Sequence, residues 1–164
     1  SKSGYSGAGK NVKKKHKFKN LFDSVSAYSV GRHRHTSEIE QELSIAANKK
    51  IKVSFTPHLI PMFRGILSTI YVEAKAKVTA KKIHEEIKKY HKNNYFINVK
   101  KFNSNLGTGE VVNTNNCNIS VCTGRSKKEV IIISVLDNLI KGASGQAVQN
   151  MNIAFNFKES MGLI

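Results

Sequence analysis

Cysteine, proline, acidic side chains and long apolar runs are all scarce in this chain, and each scarcity excludes a class of protein. The 164 residues include two cysteines and two prolines, with 11 Asp+Glu against 27 Lys+Arg. Cys117 and Cys122 cannot make a disulfide framework, and no CxxC pair is present for zinc, so no metal site is expected. No apolar stretch approaches the roughly 18 residues that cross a bilayer. No signal-peptide pattern opens the chain, so a reducing, cytoplasmic setting without a membrane partner is expected. What is present is globular: 40% hydrophobic residues with 8% aromatics can fill a core, and the length suits one domain over 1–164.

The shortage of acid leaves a net charge of +16. Such a balance suits nucleic-acid phosphate, a surface merely rich in lysine, or a site that handles anions. The lysines scatter through Lys49, Lys50, Lys75, Lys77, Lys81, Lys82, Lys88, Lys89, Lys100 and Lys101. Only Lys13 to Lys19, with Phe18, interleaves basic and aromatic residues as a nucleic-acid module would. A specific nucleic-acid partner is therefore not expected, and charge alone does not choose among the readings.

The opening stretch SGYSGAGKN comes one residue short of a phosphate-binding loop. Gly4, Gly9 and Lys10 fit G-x-x-x-x-G-K-[ST], but Asn11 stands where a metal-ligating hydroxyl belongs. A strand must enter such a loop and a helix must leave it. Here Ser1 and Lys2 precede it and a basic run follows, so a tight glycine turn is the better reading.

Period and punctuation give the elements. Strands are expected over Val25–Val30, Ile51–Phe55, Ile66–Val72, Tyr95–Val99, Cys117–Cys122 and Glu129–Leu136. The β-branched run Val130–Ile133 marks the last as buried. Ser37-x-x-Glu40 reads as a capping box that opens a helix with Ile39, Leu43, Ala46 and Ala47 on one face. Thr79 caps a second helix carrying Ile83, Ile87 and Tyr90, and a third spans Ala143–Phe155. Gly107–Gly109 and Gly124–Lys127 read as turns. The sum is α+β, a mixed and largely antiparallel sheet with helices packed on it.

Three stretches carry unusual chemistry. Tyr28 to Glu38 puts His33, His35, Arg32, Arg34 and Glu38 at a strand-to-helix junction, where free N–H groups and the helix dipole favour an anion. Histidine is also the side chain best suited to proton transfer near neutral pH. Phe55 to Gly65 holds both prolines, Pro57 and Pro61, around an apolar centre and reads as a fixed connection. Asp137 to Asn152 ends a buried strand in Asp-Asn and opens a helix of small residues after Gly142.

Together, SGYSGAGK, HRHTSEIEQEL, FTPHLIPMFRGIL with STIY after it, and DNLIKGASGQAVQNMN with the closing Gly162-Leu163 resemble the N-acetyl-γ-glutamyl-phosphate reductase family of arginine biosynthesis. The resemblance runs along essentially the whole chain. It implies a fold like the C-terminal domain of semialdehyde and glyceraldehyde-phosphate dehydrogenases. It also implies that the family's Rossmann domain and nucleophilic cysteine lie outside this chain, since Cys117 and Cys122 match no catalytic position. The 164 residues alone would then be inactive, with 137–155 packing on the missing NADP-binding domain and a homodimer or homotetramer as the assembly.

The chemistry implied is NADPH-dependent reduction of an acyl phosphate, N-acetyl-L-glutamyl 5-phosphate, to its semialdehyde. The resemblance assigns acid/base work to His33, with His35 as the alternative. Tyr28, Arg32, Arg34, His35 and Glu38 would meet an anionic small-molecule substrate. Ser3 and Gly4 would line the pocket shared with the nicotinamide, whose carboxamide Asn138 would hold. Gly142 and Gly145 would let the last helix pack closely. A relative acting on a carrier-linked amino-acid phosphate in lysine or ornithine biosynthesis is the alternative.

Overall fold

The computed structural model describes residues 1–8, 20, 23–126 and 128–163. Gly9, Lys10, Asn11, the run Lys13 to Lys19 and Lys127 therefore lie outside the described residues. The described chain forms strands β1 (Lys2–Ser3), β2 (Ser26–Ala27), β3 (His58–Leu59), β4 (Ile66–Glu73), β5 (Ile97–Val99), β6 (Cys117–Thr123) and β7 (Glu129–Leu136). They lie in one sheet in the order β2-β3-β1-β4-β7-β6-β5. β1–β3 and β5–β6 are parallel, and the remaining neighbours are antiparallel. The sheet is thus mixed and largely antiparallel, as the element pattern implied.

Strand β7 is the spine. It pairs with β4 from Ile66↔Leu136 to Glu73↔Glu129, and with β6 from Cys117↔Leu136 to Thr123↔Val130. Side chains leave a strand by its two faces, and helix α2 (Ala80–Tyr90) covers the Val130 and Ile132 face while Ile131 and Ile133 lie on the other, all but Val130 partly buried. Under α2, Ala80, Ala74, Val121 and Val130 form the core, with Ile83, Ile87, Phe102 and Ile132 against it. Thr79 caps α2, its Oγ1 accepting the Lys82 N–H at 3.2 Å. Buried His84 ties the helix to the end of β5 through the Lys100 carbonyl, 2.8 Å from Nε2. Among the described residues no helix is long and apolar enough to cross a membrane.

Several expected elements change. Val25–Val30 contracts to β2 and Tyr95–Val99 to β5. Ile51–Phe55 is extended, with alternating half-buried and exposed residues, but it is not a strand. Its amides are taken by side chains instead: Ile51 N–H donates to Ser44 Oγ at 2.9 Å and Val53 N–H to Glu40 Oε1 at 3.1 Å. That engagement also displaces the expected capping box. Helix α1 (His35–Ala47) starts two residues before Ser37, its N-cap residue Arg34 makes no side-chain cap bond, and Ser37 Oγ donates back to the Arg34 carbonyl at 3.2 Å. The last helix begins as a π turn, Ile140–Ser144, before α3 (Gly145–Ala154).

Candidate functional site

The predicted site residues fall into two groups at opposite ends of β3. Tyr28 follows β2, and its N–H donates to the Pro57 carbonyl just before β3 at 3.1 Å. Beyond Gly31, which takes φ +70°, the chain reverses and brings the His33 ring against three others. Ring centroids lie 5.5 Å away for Tyr28, 5.0 Å for His35 and 5.2 Å for Phe55, all edge to face. Phe55 had no assigned role in the sequence. Its place on the half-buried side of the 51–55 alternation was the available signal.

Hydrogen bonds set the imidazole tautomers. His35 N–H donates to His33 Nδ1 at 3.3 Å, so neutral His33 carries its proton on Nε2. Arg34 Nε donates to His35 Nε2 at 3.2 Å, which leaves the His35 proton on Nδ1. Burial among the rings lowers the His33 pKa, and repulsion of a proton there by neighbouring His35 and Arg34 lowers it further. Burial raises the Tyr28 pKa, with Arg34 opposing. His33 is thus a neutral donor near pH 7. Arg32, Arg34 and Glu38 are exposed around this cluster, and the first turn of α1 is closed by His33, whose Nδ1 and carbonyl accept the His35 and Thr36 N–H groups.

The second group is built on the turn Tyr5–Ala8, a single 3-10 turn after β1. Gly4 N–H donates to the Gly65 carbonyl at 2.9 Å, and Tyr5 N–H to that of Met62 at 2.9 Å. A Cβ at Gly4 would lie 2.6 Å from the Phe63 carbonyl oxygen, so glycine here serves a close approach of two backbones. Half-buried Ser3 donates from Oγ to the Gly4 carbonyl at 3.2 Å. Buried Asn138 ties the parts together: Oδ1 accepts the Gly65 N–H at 2.7 Å and Nδ2 donates to Ser6 Oγ at 2.8 Å.

Beneath it, fully buried Asp137 accepts the N–H groups of Asn113 (2.8 Å), Leu139 (2.7 Å) and Ile140 (3.0 Å) and pairs with Arg64 at 3.5 Å. Arg64 also donates to Asn113 Oδ1. Neither Asp137 nor Arg64 has a role assigned from the sequence. A carboxylate directly after a buried β-branched run was the signal that it needed buried partners.

Asn138 keeps one N–H and one lone pair beyond these two bonds, while Gly4 faces the Met62 and Phe63 backbone. Among the described residues, Ser3, Gly4 and Asn138 do not by themselves make up a dinucleotide site. Nor do the cysteines suit a nucleophile. Both are half-buried in β6, and burial raises the Cys117 thiol pKa, with Lys141 opposing. Among the described residues no group of His, Cys, Asp or Glu is arranged to hold a metal ion.

The sequence profile of the family described as "Semialdehyde dehydrogenase, dimerisation domain" matches residues 1–138. N-acetyl-gamma-glutamyl-phosphate reductases of Staphylococcus aureus strains USA300 and Mu50 are each 43% identical over 162 residues, 99% of this chain and 47% of theirs. The chain thus spans about half the length of these curated relatives. Among solved structures, aspartate semialdehyde dehydrogenase II from Vibrio cholerae matches 94% of this chain and 53% of its own, with a TM-score of 0.66 at 17% identity. Aspartate semialdehyde dehydrogenase from Francisella tularensis matches 76% of this chain and 36% of its own, with a TM-score of 0.58 at 21% identity. At those identities the solved structures speak for the fold. The resemblance drawn from the four sequence blocks agrees with the curated relatives.

Proposed function

Since this chain belongs to the semialdehyde dehydrogenase dimerisation-domain family, we propose that it is the substrate-side and subunit-contact half of an N-acetyl-γ-glutamyl-phosphate reductase. The whole enzyme reduces N-acetyl-L-glutamyl 5-phosphate to N-acetyl-L-glutamate 5-semialdehyde. NADPH supplies the hydride there, bound by the part of the relatives' length that this chain does not span.

The observation that carries the reading is the meeting of Tyr28, His33 and His35 at the start of α1. Reducing an acyl phosphate gathers negative charge on the former carbonyl oxygen. His33, neutral and with its proton on Nε2, donates to that oxygen. Arg32 and Arg34, beside the start of α1, take the carboxylate or phosphate. Tyr28, His35 and Glu38 complete the substrate contacts, Glu38 accepting the acetamido N–H. Ser3, Gly4 and Asn138 shape the wall beside the nicotinamide, with Gly4 and Asn138 acting mainly through the packing of the turn.

Segment 137–155 packs on the nucleotide-binding part. Exposed Met151, Ile153 and Phe155 support this. Subunits pair through the sheet face opposite α2, where Tyr71 and Ile131 stand opposite one another, as do Thr69 and Ile133.

A chimera tests the reading. Residues 1–163 replace the matching half of the Staphylococcus aureus reductase, and NADPH oxidation is followed with N-acetyl-L-glutamyl 5-phosphate. The chimera should turn over and the 164-residue chain alone should not. A folded chimera active only on a carrier-linked amino-acid phosphate would shift the assignment to that substrate. Turnover by the chain alone would end it.

A further inference from the structure

Among the described residues, one hydrogen bond holds the His33 side chain. Its Nδ1 accepts the backbone N–H of His35 at 3.3 Å, the long end of the hydrogen-bond range. Such a bond selects a tautomer but does not by itself still a ring that is only half-buried. Packing must supply the rest, and three rings stand around it. Tyr28, after β2, and His35, at the start of α1, are both titratable, and Arg34 adds its charge beside His35. Phe55, from the 51–55 segment, brings apolar bulk and no charge.

Two anchors aim Phe55 at that ring. Two residues before it, Val53 N–H donates to Glu40 Oε1 of α1 at 3.1 Å. Two residues after it, the carbonyl of buried Pro57 accepts the Tyr28 N–H at 3.1 Å. Thr56 precedes that proline, which disfavours a helical turn between the anchors. Val53 and Phe55 share the half-buried side of the alternation, with Ser54 and Thr56 exposed. The first anchor belongs to the helix that His33 introduces, and the second to the segment that carries Tyr28. Phe55 is thereby tied to the backbone on both sides of the His33 ring.

A ring beside an imidazole acts in one of two opposed ways. Its face attracts an imidazolium, or its bulk excludes water and favours the uncharged form. Phe55 meets His33 edge to face, at 5.2 Å and 69°, and burial is the first cause of the lowered His33 pKa. We propose that Phe55 is a positioning residue for His33: by its shape and by excluding water, it holds the imidazole in the orientation that pairs Nδ1 with the His35 N–H and leaves Nε2–H to donate. Charging His33 would place a proton on Nδ1, facing the His35 N–H, and break that one bond. Apolar cover and the bond therefore support each other. The effect of Phe55 on turnover rests on the reading of His33 as the donor, whereas its hold on the ring is a property of this chain.

NMR of the imidazole protons and nitrogens, on the full chain, reads the His33 titration midpoint and tautomer. Phe55→Ala should raise the midpoint towards the ordinary value of about 6.5 and mix the two neutral tautomers. Phe55→Leu restores apolar cover without a ring, so both readings should stay near the parent's. If the alanine variant fails to fold, Phe55→Val takes its place and should move both readings the same way. An unmoved midpoint and tautomer in the folded small variant would overturn the proposal. Phe55→Leu matching Phe55→Ala would overturn it too, since the effect would then belong to the ring's electrons. In the chimera, the acid limb of kcat/KM should move to higher pH in Phe55→Ala and stay in place in Phe55→Leu. A midpoint that moves while the limb does not upholds Phe55's hold on His33 and ends the assignment of His33 as the donor.

Discussion

His33 is defined by what surrounds it, and two measurements follow. Its pKa is lowered in the folded chain by burial first and by His35 and Arg34 next. The unfolded chain therefore takes up a proton at His33 at higher pH, near the ordinary value of about 6.5. Stability is greatest above that value and is lost as pH falls through it towards the folded pKa. The Tm should drop as the pH falls below neutral, and His33→Asn should flatten part of that slope. An unchanged slope would mean that His33 does not titrate differently on folding. In the chimera, His33→Asn should lower kcat by roughly 10²–10⁴-fold with little change in KM. His35→Asn should act chiefly on KM. A near-normal kcat in folded His33→Asn enzyme would move the role to His35 or to solvent. Asn138 shows what a motif conceals: its block was legible, but not that its Oδ1 takes the buried Gly65 N–H. Asn138→Ala should cost about 1–3 kcal/mol in chemical denaturation, the scale of one buried donor left unpaired.

Elements were legible where local chemistry and packing agree. Thr79 reads as a cap and is one, because an amphipathic helix follows it and seats on β6 and β7. The Val130–Ile133 run reads as a strand and is one, paired on both edges, but α2 covers only its Val130 and Ile132 face and Ile131 to Ile133 are partly buried. Agreement fails around α1. None of its residues is buried, with Leu43 44% exposed and Ile45 68%, so no core of this chain fixes where it starts or how it lies. Glu40 and Ser44 hold the 51–53 backbone against it instead. A pairing thirteen positions apart in sequence leaves no trace in a local pattern. Exposed helices held by a few polar bonds open readily. Backbone amides of α1 should therefore exchange much faster than those of α2, and Glu40→Ala should speed exchange at Val53 with little change at Val121. Equal protection of the two helices would show that α1 is covered in solution.

For the whole molecule, charge and the uncovered sheet face are the open quantities. The net charge of +16 meets few partners: among the described residues the ion pairs are Arg64–Asp137 and Lys100–Glu110. Cations dispersed in this way give weak, sequence-blind DNA binding that falls steeply with salt. Binding that survives physiological salt and distinguishes sequences would return the nucleic-acid reading to the front. The sheet face is the sharper case. One side of β4–β7–β6 is closed by α2. On the other, Tyr71, 68% exposed, lies opposite Ile131. Ile131 in turn lies opposite Cys122. A family described as a dimerisation domain offers a second copy as the cover, and a charge at its centre would be buried without a partner. On that reading the parent chain should sediment as a dimer and Ile131→Lys as a monomer, while circular dichroism stays native. Ile132→Lys points into the α2 core and should unfold the chain instead. If Ile131→Lys sediments as the parent does, the subunits meet elsewhere and this face is left to another partner.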